Sequence, residues 1–260
     1  MELIKSTDTK YEEYENLLLE RDQAQKDAGS AWTWYIQTFG QLISDVYEEK
    51  LECVKCKKTI SYYQAALNHG GVVDPEAMQK YLEKEMASYY ANLKRMQEDN
   101  ERCRDAESST PYEVQRSKTL YRRLAKLLHP DINPETDRQE KLMELWQRIV
   151  TAYGHNDVKA LAELEVLTRK ALKELGAGEI KIEIPDVEER IDSLKAEIYE
   201  ITHTEPYTYR DLYKDQEAVD KKTKELNEEL GSYRKYHKEL DDVIQSMVQG
   251  GGIKFQWLMK

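Results

Sequence analysis

Between Tyr11 and Leu67 the apolar residues fall on an alternating four-three spacing, and that pattern leaves few folds open. Tyr11, Tyr14 and Leu18 begin it; Ala28, Trp32, Tyr35, Phe39, Leu42 and Val46 continue it; Cys53, Cys56, Ile60, Tyr63 and Leu67 complete it. A repeat of about 3.5 residues places all of them on one stripe of a helix, the seam of a coiled coil. Arg21, Gln25 and Glu49 interrupt the stripe, and Gly29 and Gly40 weaken it, so a bend near Gly29 is expected. The stripe stops at "NHGGVVDPEAM". Gly70 and Gly71 end the helix, Asp74 caps the next one, and Pro75 suits its first position. Leu82, Met86, Tyr89, Leu93 and Met96 then carry a seam back, which predicts an antiparallel hairpin ending near Glu107.

The last third repeats the plan. Val187, Ile191, Leu194, Ile198 and Ile201 share the spacing, as do Val219, Leu226, Leu230, Tyr233, Leu240, Ile244 and Met247 across the turn "HTEPYTYRDLY". Thr223 and His237 are polar seam positions. A second antiparallel hairpin is expected. Ile180, Ile182 and Ile184 alternate as a short strand, with the tail "GGGIKFQWLMK" as its partner. The fold class is therefore all-α: elongated helical hairpins flank a helix-loop-helix, with minor β structure at 180–184 and the tail. The expected domains are 1–108, 109–175 and 176–260. Seams satisfied inside the chain leave a monomer, and a seam left exposed forces a homodimer.

Composition narrows the function classes. The 260 residues carry a formal charge of −11, which opposes general binding to nucleic-acid phosphates. The N-terminal "MELIKSTDTKYEEYE" has no apolar core of a secretory leader, and no run reaches the length of a membrane span. Three Cys, an odd number, do not suggest a disulfide framework, so a cytoplasmic protein is expected. Cys53 and Cys56 have the spacing of a zinc knuckle or a redox pair, but both sit in the seam and no His is placed to complete a site. They read as small buried hydrophobes. His69, His155 and His203 fall at turns or helix ends and read as caps. Trp32 and Trp34 read as seam packing. No phosphate-cradling glycine loop, nucleophile elbow or metalloprotease helix is present, so neither a cofactor nor catalysis is expected.

One stretch does not read as scaffold. "SSTPYEVQ" offers a capping box, Thr110 with Glu113, and Pro111 at the first helical position. The helix that follows, to Leu128, carries Arg116, Lys118, Arg122, Arg123 and Lys126, with no acid after Glu113. Lys118, Arg122 and Lys126 lie four apart on one face. Tyr121, Leu124 and Leu128, with Leu120 as a further candidate, form the buried face. Pro130 keeps His129 out of helical geometry, so the helix ends there, and Asp131 follows at a sharp exit. Asn133 and Pro134 stiffen the rest of the loop. A carboxylate and an imidazole on a rigid turn are recognition groups, because little entropy is lost when they are bound. Thr136 and Gln139 offer a second capping box before a helix through Tyr153. "GHND" is a turn, and another helix is expected from about Asp157 to Leu175.

"LYRRLAKLLHPDINPE" followed by "WQRIVTAY" resembles the J-domain of DnaJ-type co-chaperones. The residues that carry the resemblance are Tyr121, Arg122, Arg123, Leu124 and Ala125, then His129, Pro130 and Asp131, then Trp146, Ile149, Ala152 and Tyr153. It covers about Thr110 to Tyr153. The family's preceding short helix, with Tyr-x-x-Leu-Gly about a dozen residues further upstream, has no counterpart in "PYEVQ". The end of the 75–107 helix or the helix after Asp157 must supply that packing. Leu127 and Leu128 stand where the family often has a basic residue and an aromatic. The resemblance implies a non-enzymatic protein that binds the ATP-bound form of a DnaK-type heat-shock chaperone and promotes its ATP hydrolysis. It implies that Asp131 engages an arginine of that partner and that His129 and Pro130 hold the loop in register. Arg122, Arg123 and Lys126, with Lys118 on the same face, would meet an acidic patch. The hairpins would then recruit a client or an assembly. The rival expectation is a structural coiled-coil adaptor whose J-like segment has no partner.

Overall fold

The computed structural model describes residues 9–104, 109–175, 186–250 and 253–255. The chain is all-α, with one minimal two-stranded sheet among the described residues. In chain order the elements are α1 (Thr9–Asn68), β1 (Val72–Val73), α2 (Pro75–Arg104), α3 (Pro111–Leu128), α4 (Glu135–Arg138), α5 (Glu140–Gly154), α6 (Val158–Glu174), α7 (Val187–His203), α8 (Tyr209–Leu212), α9 (Gln216–Gln249) and β2 (Lys254–Phe255). No helix among them is long and apolar enough to cross a membrane.

Two compact units are present, and each draws on separated parts of the chain. One takes residues 1–31 with 107–209, the other 32–106 with 210–260. This division differs from the three consecutive domains that the spacing suggested. The reason lies in α1, a helix of 60 residues that contributes to both units. Gly29 does not bend it out of helical geometry; α1 passes through Gly29 and Gly40 unbroken. The seam of α7 closes on the start of α1: Val187, Ile191 and Leu194 bury with Tyr11, Tyr14 and Leu18. The seam of α9 closes on a later part of α1, Leu226 and Leu230 packing with Phe39 and Val46. The C-terminal third is therefore not a self-contained hairpin. A heptad stripe shows that a face is buried but does not specify against which helix.

The second unit retains the expected α1–α2 hairpin, in which Leu51 buries against Met86 and Leu93. Its turn forms as the residue types require. Gly70 and Gly71 take φ of 100° and 75°, and the Asp74 carboxylate accepts from the Glu76 amide at 3.0 Å. The tail strand β2 pairs in parallel with β1, Val72 opposite Lys254; its expected partner at 180–184 lies outside the described residues. Gly40 serves a close approach. A Cβ there would collide with the Asn100 side chain, whose Nδ2 donates to the Ser44 hydroxyl at 2.8 Å. Gly40→Ala should lower the stability of this unit by about 1–2 kcal/mol, the overpacking outweighing the helix-propensity gain. Gly29→Ala, with open space around it, should raise stability by up to about 1 kcal/mol. Thermal melts of the two variants moving in the same direction would contradict this account.

In the first unit α3, α5 and α6 enclose the main core. Leu120, Leu124 and Leu128 from α3 meet Leu142 and Ile149 from α5 and Leu161 from α6, all with at most 1% exposure. The helix after Asp157, α6, supplies part of this core, and so does α1, which was not expected. Leu19 of α1 joins this core. Burial pushes the Lys26 ammonium of α1 down to about 8. That group lies 3.7 Å from the centre of the Tyr153 ring and donates to Asn156, which also accepts from Ser117.

Candidate functional site

The helix α3 starts and stops where its residues dictate. Thr110 and Glu113 form the reciprocal capping box, with Pro111 in the first turn. At the other end His129 adopts φ −60° and ψ 126°, the extended geometry that Pro130 imposes on it. The corner is then tied by its own backbone. The His129 carbonyl accepts from the amides of Ile132 at 2.8 Å and Asn133 at 2.7 Å. The Asn133 side chain, itself buried, donates to the Leu127 carbonyl at 2.8 Å and accepts from the Glu135 amide at 3.1 Å. Asn133 thus closes the helix end and opens α4. The second capping box does not form. Thr136 lies buried inside α4, and α5 begins after Gln139 without a side-chain cap. The short helix α4 takes up the residues that such a cap would have needed.

The three signature residues have different environments. His129 is 4% exposed and packs edge-on to Trp146, with ring centroids 5.0 Å apart. Pro130 is half-buried. Asp131 is exposed, its side chain at 42%, between two buried anchors, His129 and Ile132. Ile132 is fully buried with Tyr14, Leu18 and Ile191. The corner therefore presents the carboxylate while both flanks are held in hydrophobic cores. The imidazole, read from the sequence as a recognition group and, from the resemblance, as a group that holds the loop in register, is hydrogen-bonded within the loop. Its Nδ1 accepts from the Asp131 amide at 3.1 Å. The proton of the neutral ring then sits on Nε2, facing Asp22 Oδ2 at 3.7 Å. In that tautomer the 3.4 Å approach of Arg21 Nη2 to Nε2 brings two donors together and is not a hydrogen bond.

Two residues of α1 complete the site. Asp22 accepts from the Tyr121 hydroxyl at 2.6 Å and from Arg21 Nη2 at 3.0 Å. Arg21 also lies 3.9 Å from both Asp131 Oδ2 and Glu197 Oε2. Burial disfavours the Arg21 charge, but Asp22, Glu197 and Asp131 together outweigh it and raise its pKa. The Tyr121 phenol, stacked on Tyr153 at 3.9 Å, is held protonated by burial and by Asp22. Arg21 appeared in the sequence only as an interruption of the coiled-coil stripe. That interruption was the available signal for this residue; Asp22 left none.

The basic face is less free than the sequence implies. Arg123 pairs with Glu165 of α6 at 2.9 Å, and Lys126 pairs with Glu15 of α1. Arg122 and Arg116 are exposed, and Lys118 is half-buried. Of the cations expected to meet a partner, Arg122 is thus the exposed one nearest the corner in sequence that has no ion pair among the described residues.

Burial is the main reason that the His129 pKa is lowered from its ordinary value; Asp22 and Asp131 oppose the shift and Arg21 assists it. The folded protein therefore keeps this ring neutral while the unfolded chain takes up a proton near pH 6.5. The unfolded state then binds more protons, so stability rises with pH across the window below about 6.5 and levels off above it. His129→Gln should flatten that slope in urea melts at pH 5–7; an unchanged slope would assign it to other groups. Neither the family models, nor the curated proteins, nor the solved structures include a match to this chain.

Proposed function

We propose that the chain is a J-domain-type co-chaperone. It docks on the ATP-bound form of a DnaK-type heat-shock chaperone through Asp131 and stimulates that partner's ATP hydrolysis; it does no covalent chemistry itself. The observation that carries this reading is the setting of Asp131. A carboxylate just beyond a helix C-terminus meets the negative end of the helix dipole, an unfavourable place for an acid. It stays there half-exposed while both neighbours are anchored. A residue that does little for its own fold and is held rigidly toward solvent fits a binding role better than a structural one. A partner guanidinium would take the carboxylate in a charge-assisted bond, replacing the loose 3.9 Å approach of Arg21. Arg122 would steer encounter with an acidic surface. Acceleration would arise in the partner, through a shift of its conformational population. The compartment that fits this reading is the cytoplasm. The second unit, through helical surface outside its closed seams, is the candidate for recruiting a client.

The test is a single-turnover ATPase assay with a DnaK-type chaperone from the same organism. The full chain should raise the hydrolysis rate saturably, and the half-saturating concentration should increase with salt as steering is screened. No stimulation at any concentration would reject the proposal. The second reading, a helical adaptor without chaperone contact, draws on the pairing of Arg123 and Lys126 with Glu165 and Glu15. It predicts that null result.

A further inference from the structure

In the second unit, α1 and α9 bring together a thiol, an imidazole and a carboxylate: Cys56, His237 and Asp241. Their donor atoms all lie within 4.8 Å of one another. Cys56 Sγ is 3.5 Å from Asp241 Oδ1, and His237 Nε2 is 3.7 Å from Asp241 Oδ2. Neighbouring donors of a tetrahedral zinc ion, with bonds of about 2.0–2.3 Å, stand roughly 3.4 Å apart. Each oxygen of Asp241 therefore already stands near that spacing from one of the other two donors. His237 and Asp241 are four apart on α9 and share one face. The imidazole is also oriented. Its Nδ1 lies 2.6 Å from Glu49 Oε1, which leaves the Nε2 lone pair as the free donor, 3.7 Å from Asp241 Oδ2. A carboxylate behind a histidine in this way fixes the tautomer and raises ligand basicity at zinc sites.

We infer that Cys56, His237 and Asp241 form a zinc site, with Glu49 as the group that positions His237. The donor set selects the metal class. A thiolate with an imidazole suits zinc, whereas calcium and magnesium require oxygen ligands. Binding replaces the S–H bond of Cys56 by a zinc–sulfur bond and releases the proton to solvent. Three protein ligands leave one position for water, and Asp241, with its side chain 52% exposed, marks the open side. Cys53 takes no part; its sulfur donates to the Tyr233 carbonyl at 3.4 Å. The Cys-x-x-Cys spacing is thus not a knuckle. One of its two thiols is completed from a helix far along the chain.

Chelator-stripped full chain should bind one equivalent of zinc and melt at a higher temperature with it. With cobalt it should show the charge-transfer absorption of a thiolate ligand. Cys56→Ser should lose the cobalt-thiolate band, and His237→Gln should weaken zinc at least a hundredfold. Cys53→Ser should bind like the parent, and circular dichroism should show each variant folded. A parent chain that takes up no zinc, or gives no thiolate band with cobalt, overturns the proposal. So does a Cys56→Ser chain that binds as tightly as the parent. The parent measurements stand even if a variant fails to fold.

Discussion

Asp131→Asn is expected to abolish stimulation of a DnaK-type chaperone's ATPase while the thermal midpoint of the variant stays close to the parent's. The two halves of this result rest on different physics. Among the described residues the carboxylate has only long approaches in the free protein, 3.9 Å to Arg21 and 3.7 Å to the His129 Nδ1 that accepts from the Asp131 amide, and its side chain is 42% exposed. Such contacts contribute at most about 1 kcal/mol, and removing an anion from a helix C-terminus offsets part of that. Asparagine keeps the side-chain shape, and the anchors His129 and Ile132 are untouched. At an interface, truncating one side of a desolvated charge pair costs about 2–5 kcal/mol, roughly thirtyfold or more in affinity. Asp131 is a cleaner probe than His129, whose ring is buried against Trp146 and whose replacement disturbs the loop itself. An Asp131→Asn chain that stimulates fully would refute the docking role.

Leu124→Ala should have the largest effect on the fold. Leu124 has no exposed surface and lies at the centre of the α3 stripe that packs on α5 and α6. Deleting a buried leucine to its Cβ removes transfer energy and leaves a cavity, together about 2–5 kcal/mol. That is a large share of the stability of a domain of this size. Amide exchange in α3 should accelerate by roughly thirtyfold or more, since about 1.4 kcal/mol is a factor of ten. Stimulation should fall with it, because the Asp131 corner is held by the same core through Leu128 and His129. Protection unchanged in α3 would mean that this core is not what holds the helix.

Local features were legible in the sequence. The capping box at Thr110, the stop at His129, the Gly70–Gly71 turn and the helix start near Asp157 all follow from interactions within a few residues, and the structure forms them. The expected capping box at Thr136 did not form because tertiary burial drew that residue into α4. Polar breaks in the α1 stripe looked like mere weaknesses. Arg21 instead reaches the Asp131 loop and Glu49 holds His237, while Gln25 lies 3.5 Å from Glu197. A polar residue on a buried seam needs a partner, and its presence signals that one exists elsewhere in the chain.

The sequence by itself determined the long helices, most of their ends, the buried stripe of each, and a proline-enforced corner with an acid at its exit. Backbone sterics and short-range hydrogen bonds specify these wherever the segment sits. Tertiary structure alone decided that α7 and α9 both close on α1, that Arg21 stands beside Asp131, and that His237 and Asp241 meet Cys56. Apolar stripes are chemically alike and accept many partners. The choice among them depends on the summed packing of the whole chain, which no short window of residues contains.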